Sequence, residues 1–207
     1  MDSGFLVTSF VTLFVVIDPL GLIPLFIALT QGMSPERRRA IGRRACVIAA
    51  VLLTVFGLFG QKLLDFVGIS MPAFRIAGGL LLFLTALDML FERRNDRREG
   101  QKADADHDPS VFPLALPLIA GPGALAAMIL LSGEAQSGWL GTAVVIVLML
   151  VVIGIVQAMF FVADPIERAL GRTGTMVITR VLGMLLAALS VQFVIDGIIG
   201  TGLVMAD

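Results

Sequence analysis

The chain has 207 residues, of which 57% are hydrophobic and only 15% charged, with a formal net charge of -1 and a mean hydropathy of +0.97. These values exclude an ordinary soluble domain of this length, and the near-zero net charge excludes no partner, because the charges are sorted by position along the chain. Several stretches exceed the roughly 20 apolar residues that span a bilayer as a helix, so the sequence reads as an all-α membrane protein.

Hydrophobic runs predict six transmembrane helices, at 5–30, 41–61, 72–91, 111–132, 138–163 and 176–200. Only Asp2 precedes the first run as a charge, and no small-residue cleavage site follows it, so it reads as a retained span rather than a removable signal. Its centre is "VVIDPLGLIPLF" (15–26). Pro19 and Pro24 lack an N–H and clash with the preceding turn, and Gly21 is permissive, which predicts a broken helix. Freed backbone groups cannot face hydrocarbon, so the break is expected to face the protein interior. Asp18-Pro19 is also a helix start signal, with the carboxylate at the N-cap and proline at the first helical position. Asp18 therefore has two readings: a cap for the second half-helix, or a carboxylate that carries a coupling proton or helps hold a cation.

The second span follows an arginine-rich stretch, "SPERRRA" (34–40) continuing to Arg43 and Arg44, and contains the lone Cys46. The third carries Arg75 near its start, "AGG" (77–79), which suits close helix packing, and Asp88 near its end. Segment 92–110 is the one polar linker and holds the lone His107. One cysteine and one histidine leave neither a disulfide nor a metal-ligand set, so no metal and no cofactor is expected beyond a coupling proton or sodium ion. The fourth span, "FPLALPLIAGPGAL" (112–125), repeats the device of the first: Pro117 precedes Gly121 as cap and Pro122 at the first helical position. In the fifth, Trp139 reads as an interfacial anchor. Gln157, there, and Gln192, in the sixth, read either as interhelical hydrogen-bond links or as cavity-lining groups. The sixth also carries Arg180, Gly183 and Asp196.

Loops on one side of these spans hold twelve Lys and Arg residues; the other side holds Lys62 alone. The positive-inside rule then places both termini outside the cytoplasm and the linker inside it. The basic runs lack aromatic interleaving and adjoin spans, so they read as topology determinants and not as a nucleic-acid surface.

The two halves are weakly similar. Arg75 and Arg180 lie in related contexts 105 positions apart, and "DPLG" (18–21) and "GPGA" (121–124) lie 103 apart. The chain divides into a three-helix repeat (1–91), a linker (92–110) and a second three-helix repeat (111–207). An odd number of spans per repeat makes the second copy enter the membrane inverted, a design shared by many secondary transporters. Each repeat opens with a broken helix, so two half-helix N-termini are expected to meet near the bilayer centre. Their N–H groups suit a carboxylate, and freed carbonyls suit an ammonium or a cation. This marks Asp18, Pro19, Leu20, Gly21, Pro24, Pro117, Ala120, Gly121, Pro122 and Gly123 as candidate substrate-binding residues. Coupling or gating candidates are Asp18, Arg75, Asp88, Arg180, Gln192 and Asp196. Under this topology Arg75 shares a level with Asp196 and Arg180 with Asp88, either as gates that break alternately or as static pairs and snorkelling anchors.

"DPLGLIPLF", "SPERRRA", "FPLALPLIAGPGAL" and the pattern Arg180, Gly183, Gln192, Asp196, Gly197 resemble the MarC family of membrane proteins, through nearly the whole chain. Leu22 departs from the pattern, which commonly has a polar residue such as asparagine there. The resemblance implies a six-span inner-membrane protein grouped with transporters of small neutral amino acids. A secondary carrier for a small-molecule substrate is therefore the expectation, with a channel-like pore or an exporter of other small solutes as the alternative, and homo-oligomerisation left open. An intramembrane enzyme lacks a nucleophile with a base or a carboxylate pair at matched depth.

Overall fold

A computed structural model describes residues 3–91, 108–134 and 138–202. Among these the chain is helical, with no strand. The elements are α1 (Ser3–Ile17), α2 (Leu22–Leu29), α3 (Pro35–Val67), α4 (Met71–Leu90), α5 (Ser110–Ile119), α6 (Pro122–Glu134), α7 (Trp139–Phe161) and α8 (Ala163–Gly200). Five spans are long and apolar enough to cross a membrane, with α1 and α2 counted together, and the bent pair α5–α6 makes a sixth. Among the described residues five of the six expected spans are thus present, the fourth stands as the bent pair, and the first and fourth are broken.

The ends of these spans show where local chemistry overrides hydropathy. The expected loop between the first two spans is mostly helix: Ser34 caps α3 by accepting the Arg37 N–H, Pro35 takes the first helical position, and Arg37 to Arg44 lie in the first turns. At the other end Gly68, at φ 79°, closes α3 in a left-handed turn, and the Ile69 N–H reaches the Leu64 carbonyl. The expected loop before the sixth span is likewise helical over 163–170, and Gly171 (φ 62°) separates it from the membrane span Thr173–Gly200.

The fourth span departs further from expectation. α5 is a wide, irregular turn structure in which the Leu114 N–H bonds Pro109 and the Ala120 N–H bonds Ala115, five residues back. Phe112 and Leu116 are extended inside it. Each precedes a proline, and the proline ring drives its neighbour out of the helical region. The axis then turns by 54° into α6.

Buried and exposed faces sort the helices into a centre and a shell. In α6, Gly123, Ala124 and every residue from Ala126 to Ser132 are buried, as expected of a helix apolar all round. α1, α2 and α5 join it, contributing Val16, Ile17, Leu22, Phe26, Leu118 and Ile119. The long helices form the shell and keep apolar residues outward, such as Val47, Val51, Val55 and Leu58 on α3 and Leu80 and Leu84 on α4. In water such a surface would be an association site; here it faces lipid.

α4 and α8 form the most extensive helix pair, and glycines permit it. A Cβ on Gly79 would lie 2.8 Å from the Ser190 carbonyl oxygen, and one on Gly183 3.2 Å from that of Ala86. Most of the other contacts join one half to the other. α3 packs on α5 and α6, α7 packs on α1 and α2, α4 packs on α6, and α8 packs on α2.

Candidate functional site: the junction of two broken helices

The first break is organised by Asp18. Its N–H completes α1 by bonding the Phe14 carbonyl, its own carbonyl accepts from Leu22, and its Oδ1 accepts from the Gly21 N–H at 3.1 Å. The carboxylate thus caps the 19–21 turn, although the regular helix begins only at Leu22. The backbone differs from an ordinary extended N-cap: Asp18 sits at φ 55°, a left-handed conformation that aspartate tolerates better than most residues. Gly21 has no alternative, because a Cβ there would collide with the Asp18 carboxylate. Asp18, Pro19 and Gly21 are buried, while Leu20 and Pro24 are partly so.

The second break brings Ala120 and Gly121 to the start of α6. The first intrahelical bond runs from the Leu125 N–H to the Gly121 carbonyl, so the N–H groups of Gly123 and Ala124 precede the helical ladder and point out of its end. Gly121 is pressed against its own chain, since a Cβ would lie 2.7 Å from the Pro117 carbonyl oxygen. Gly123 is the meeting point. A Cβ there would lie 3.0 Å from Thr85 Oγ1 on α4 and 3.4 Å from Val16 Cγ1, two residues before Asp18. The N-terminus of α6 therefore abuts the end of α1, and the junction reaches the surface through exposed Pro122.

The gating candidates are arranged differently from the sequence expectation. Arg75 pairs with Glu134 at the end of α6, 3.4 Å away and with both side chains about one-quarter exposed, and not with Asp196. Asp196 accepts a 2.7 Å hydrogen bond from Gln192, one turn earlier on α8, and acts on Glu134 only through space. Arg75 stays close to α8, since a Cβ on Gly197 would lie 3.1 Å from Arg75 Cβ. Glu134 was invisible as a partner because it ends its span beside the start of the next. Asp88 and Arg180 lie on the packed pair α4 and α8. The Gln157 Oε1 atom is buried without a hydrogen-bond partner among the described residues. The polar linker lies outside the described residues up to His107. Asp108, near the end of the linker, accepts from the Ser110 N–H and from Arg44.

The chain matches the model of the MarC family of integral membrane proteins over residues 3–201. It belongs to that family. Similar proteins include a UPF0056 membrane protein of Archaeoglobus fulgidus, 42% identical over 200 residues that cover 94% of this chain and 92% of the relative. Another is a UPF0056 membrane protein of Aquifex aeolicus, 36% identical over 200 residues, with 93% and 91% covered. A third is the UPF0056 inner membrane protein YhgN of Escherichia coli, 33% identical over 195 residues, with 93% and 95% covered. No solved structure matches. This MarC-family chain is thus a multi-pass integral membrane protein.

Sequence reasoning missed one cluster in this MarC-family chain. Arg38, within the arginine run of α3, holds Asp164 in a two-pronged bridge at 3.0 and 2.9 Å, and its Nε donates to Thr30 Oγ1 at 3.1 Å. The Thr30 hydroxyl donates in turn to the Phe26 carbonyl at 2.7 Å. Reading the arginines only as a topology signal concealed Arg38. The one available hint was "DP" at 164–165, which repeats the pair at 18–19. The hydrogen bonds from Arg38 hold the Asp164 carboxyl below its ordinary range against partial desolvation, and the charges of Arg38 and Arg168 add to the effect. A depressed carboxylate keeps its bridge above the unfolded pKa of about 3.9 and loses it only as pH falls through the lower folded value, so the bridge persists at neutral pH.

Proposed function

We propose that this protein is a secondary carrier for small neutral amino acids of the glycine or alanine kind, working by alternating access between two inverted three-helix repeats. The observation that carries the reading is the approach of the start of α6, at Gly123, to the last turn of α1, at Val16, each beside its own helix break. The N–H groups at the start of α6 suit a carboxylate, and the turn at Asp18 supplies a negative group for an ammonium. Leu20, Leu22, Ala120 and Ala124 around the breaks leave little room and no cation for an ionic side chain. The exchanged packing, in which each half's helices lie on the broken helix of the other, is what a pseudo-twofold relation between residues 1–91 and 111–207 produces, and rocking such halves gives alternating access. The function is transport and not catalysis.

A thermal-shift and competition screen on purified protein tests the substrate class. Glycine, alanine, serine and threonine are expected to stabilise the fold, by about 2.7 kcal/mol at a hundredfold excess over Kd, and to protect a cysteine placed at Ala120 from thiol reagents. Stabilisation by arginine or glutamate with no response to alanine or glycine would refute the pocket.

The reading also sets an orientation in a bacterial-type inner membrane. Twelve Lys and Arg residues flank the spans on one side and Lys62 alone on the other, so both termini are expected outside the cytoplasm. Reporter fusions at residue 207 and within 92–107 check this. A cytoplasmic C-terminus would overturn both the orientation and the inversion.

A further inference from the structure

Arg38 does more than flank a span. Starting from the first break, α2 carries Phe26 about 6 Å beyond Leu22 along the helix, and Thr30 another turn on. At Phe26 the path is filled: its ring stacks on Phe160 of α7 with centroids 4.2 Å apart and planes 10° apart. α3 closes the third side at Gly42, where a Cβ would lie 3.2 Å from Phe160 and 3.4 Å from Phe26. Directly over this plug lies the Arg38 guanidinium, 5.7 Å from the Phe26 centroid. It grips Thr30 on one side and Asp164 on the other. Phe26 and Thr30 are about 1% exposed, whereas Asp164 is about half exposed. The layers thus run from the break through an aromatic plug to a polar clasp at the arginine-rich face.

The clasp also joins the two halves of the chain. Thr30 and Arg38 belong to the first, Asp164 and Phe160 to the second. Parting the halves on this side must break the two-pronged bridge and unstack the rings together, while parting them on the Arg75–Glu134 side need not. We propose that Arg38, Thr30 and Asp164 latch a gate whose plug is Phe26 and Phe160, closing the arginine-rich side of the path to the helix-break junction. The proposal rests on the carrier reading for its purpose but not for its geometry.

The test uses the full-length protein in vesicles of both orientations, with Cys46→Ala to remove the native thiol and Leu20→Cys as reporter at the break. The probe is a membrane-impermeant maleimide. With the latch intact, labelling from the arginine-rich face is expected to be slow. Arg38→Ala and Asp164→Ala, or the size-preserving Asp164→Asn, are expected to raise its rate roughly tenfold by shifting the population towards the open state. The charge swap Arg38→Asp with Asp164→Arg is expected to return the rate towards the starting value. Thermal unfolding identifies variants that have lost the fold, and the Asn and swapped variants then decide. An unchanged rate in folded latch variants, or a rise that the swap does not reverse, would overturn the gate. Labelling requires no substrate, so a failed gate with intact amino-acid exchange leaves the carrier reading standing, and a working gate without exchange removes it.

Discussion

Asp18→Ala is expected to destabilise the protein strongly, whereas Asp18→Asn is expected to fold as the parent does. Alanine removes the acceptor for the Gly21 N–H, leaving a buried donor unsatisfied at a cost of about 1 to 3 kcal/mol. It also places a side chain without local hydrogen-bonding ability at φ 55°, worth another 1 to 2 kcal/mol or so. Asparagine keeps an oxygen for the cap and tolerates the left-handed conformation, but it cannot release a proton. The pair therefore separates the structural role of Asp18 from a coupling role. Uphill uptake and exchange, measured side by side in vesicles, read the difference. Asn variants that exchange substrate yet fail to concentrate it under an imposed proton or sodium gradient assign coupling to the carboxylate. Unimpaired uphill uptake leaves the cap as its function.

Gly79→Leu is expected to be the most damaging single change in the shell. The new side chain would begin 2.8 Å from the Ser190 carbonyl oxygen and 3.1 Å from the Val194 nitrogen, and backbone atoms of a packed helix cannot swing aside as a side-chain tip can. Overpacking of this kind costs about 1 to 3 kcal/mol or more, and here it pries apart α4 and α8. Ala77→Leu, two residues away and exposed, is the control and is expected to change stability by no more than about 0.5 kcal/mol. Thermal unfolding in detergent compares the two.

Those two glycine and aspartate positions also mark what the sequence made legible. Proline at 19, 117 and 122 announces broken helices by removing donors and crowding the preceding turn, and the spans break where those residues stand, while Pro24 is absorbed in the first turn of α2. Gly78, Gly79 and Gly183 announce close packing in the same direct way, while Ala77 beside them faces outward. Side-chain pairing was far less legible. Arg75 was matched by depth to Asp196, and its partner is Glu134, because depth along a helix says nothing of the direction in which a side chain points. Arg38 was hidden for a related reason: five arginines within eight residues carry one topological message, and only the packing of α2, α3 and α8 singles out the one that meets Asp164. The width of α5 was beyond reach as well, since two prolines four residues apart forbid a regular helix without dictating what replaces it.

Counterflow in proteoliposomes tests the carrier account most directly. Vesicles preloaded with unlabelled L-alanine, with radiolabelled L-alanine added outside, are expected to accumulate label transiently above its equilibrium level. The initial rate is expected to saturate with external alanine, to prefer L over D, and to fall when Gly123→Val fills the contact between Val16 and Thr85. Absence of counterflow from folded, correctly inserted protein, together with non-saturating ion currents far faster than carrier turnover, would contradict the account and make the two broken helices the lining of a pore.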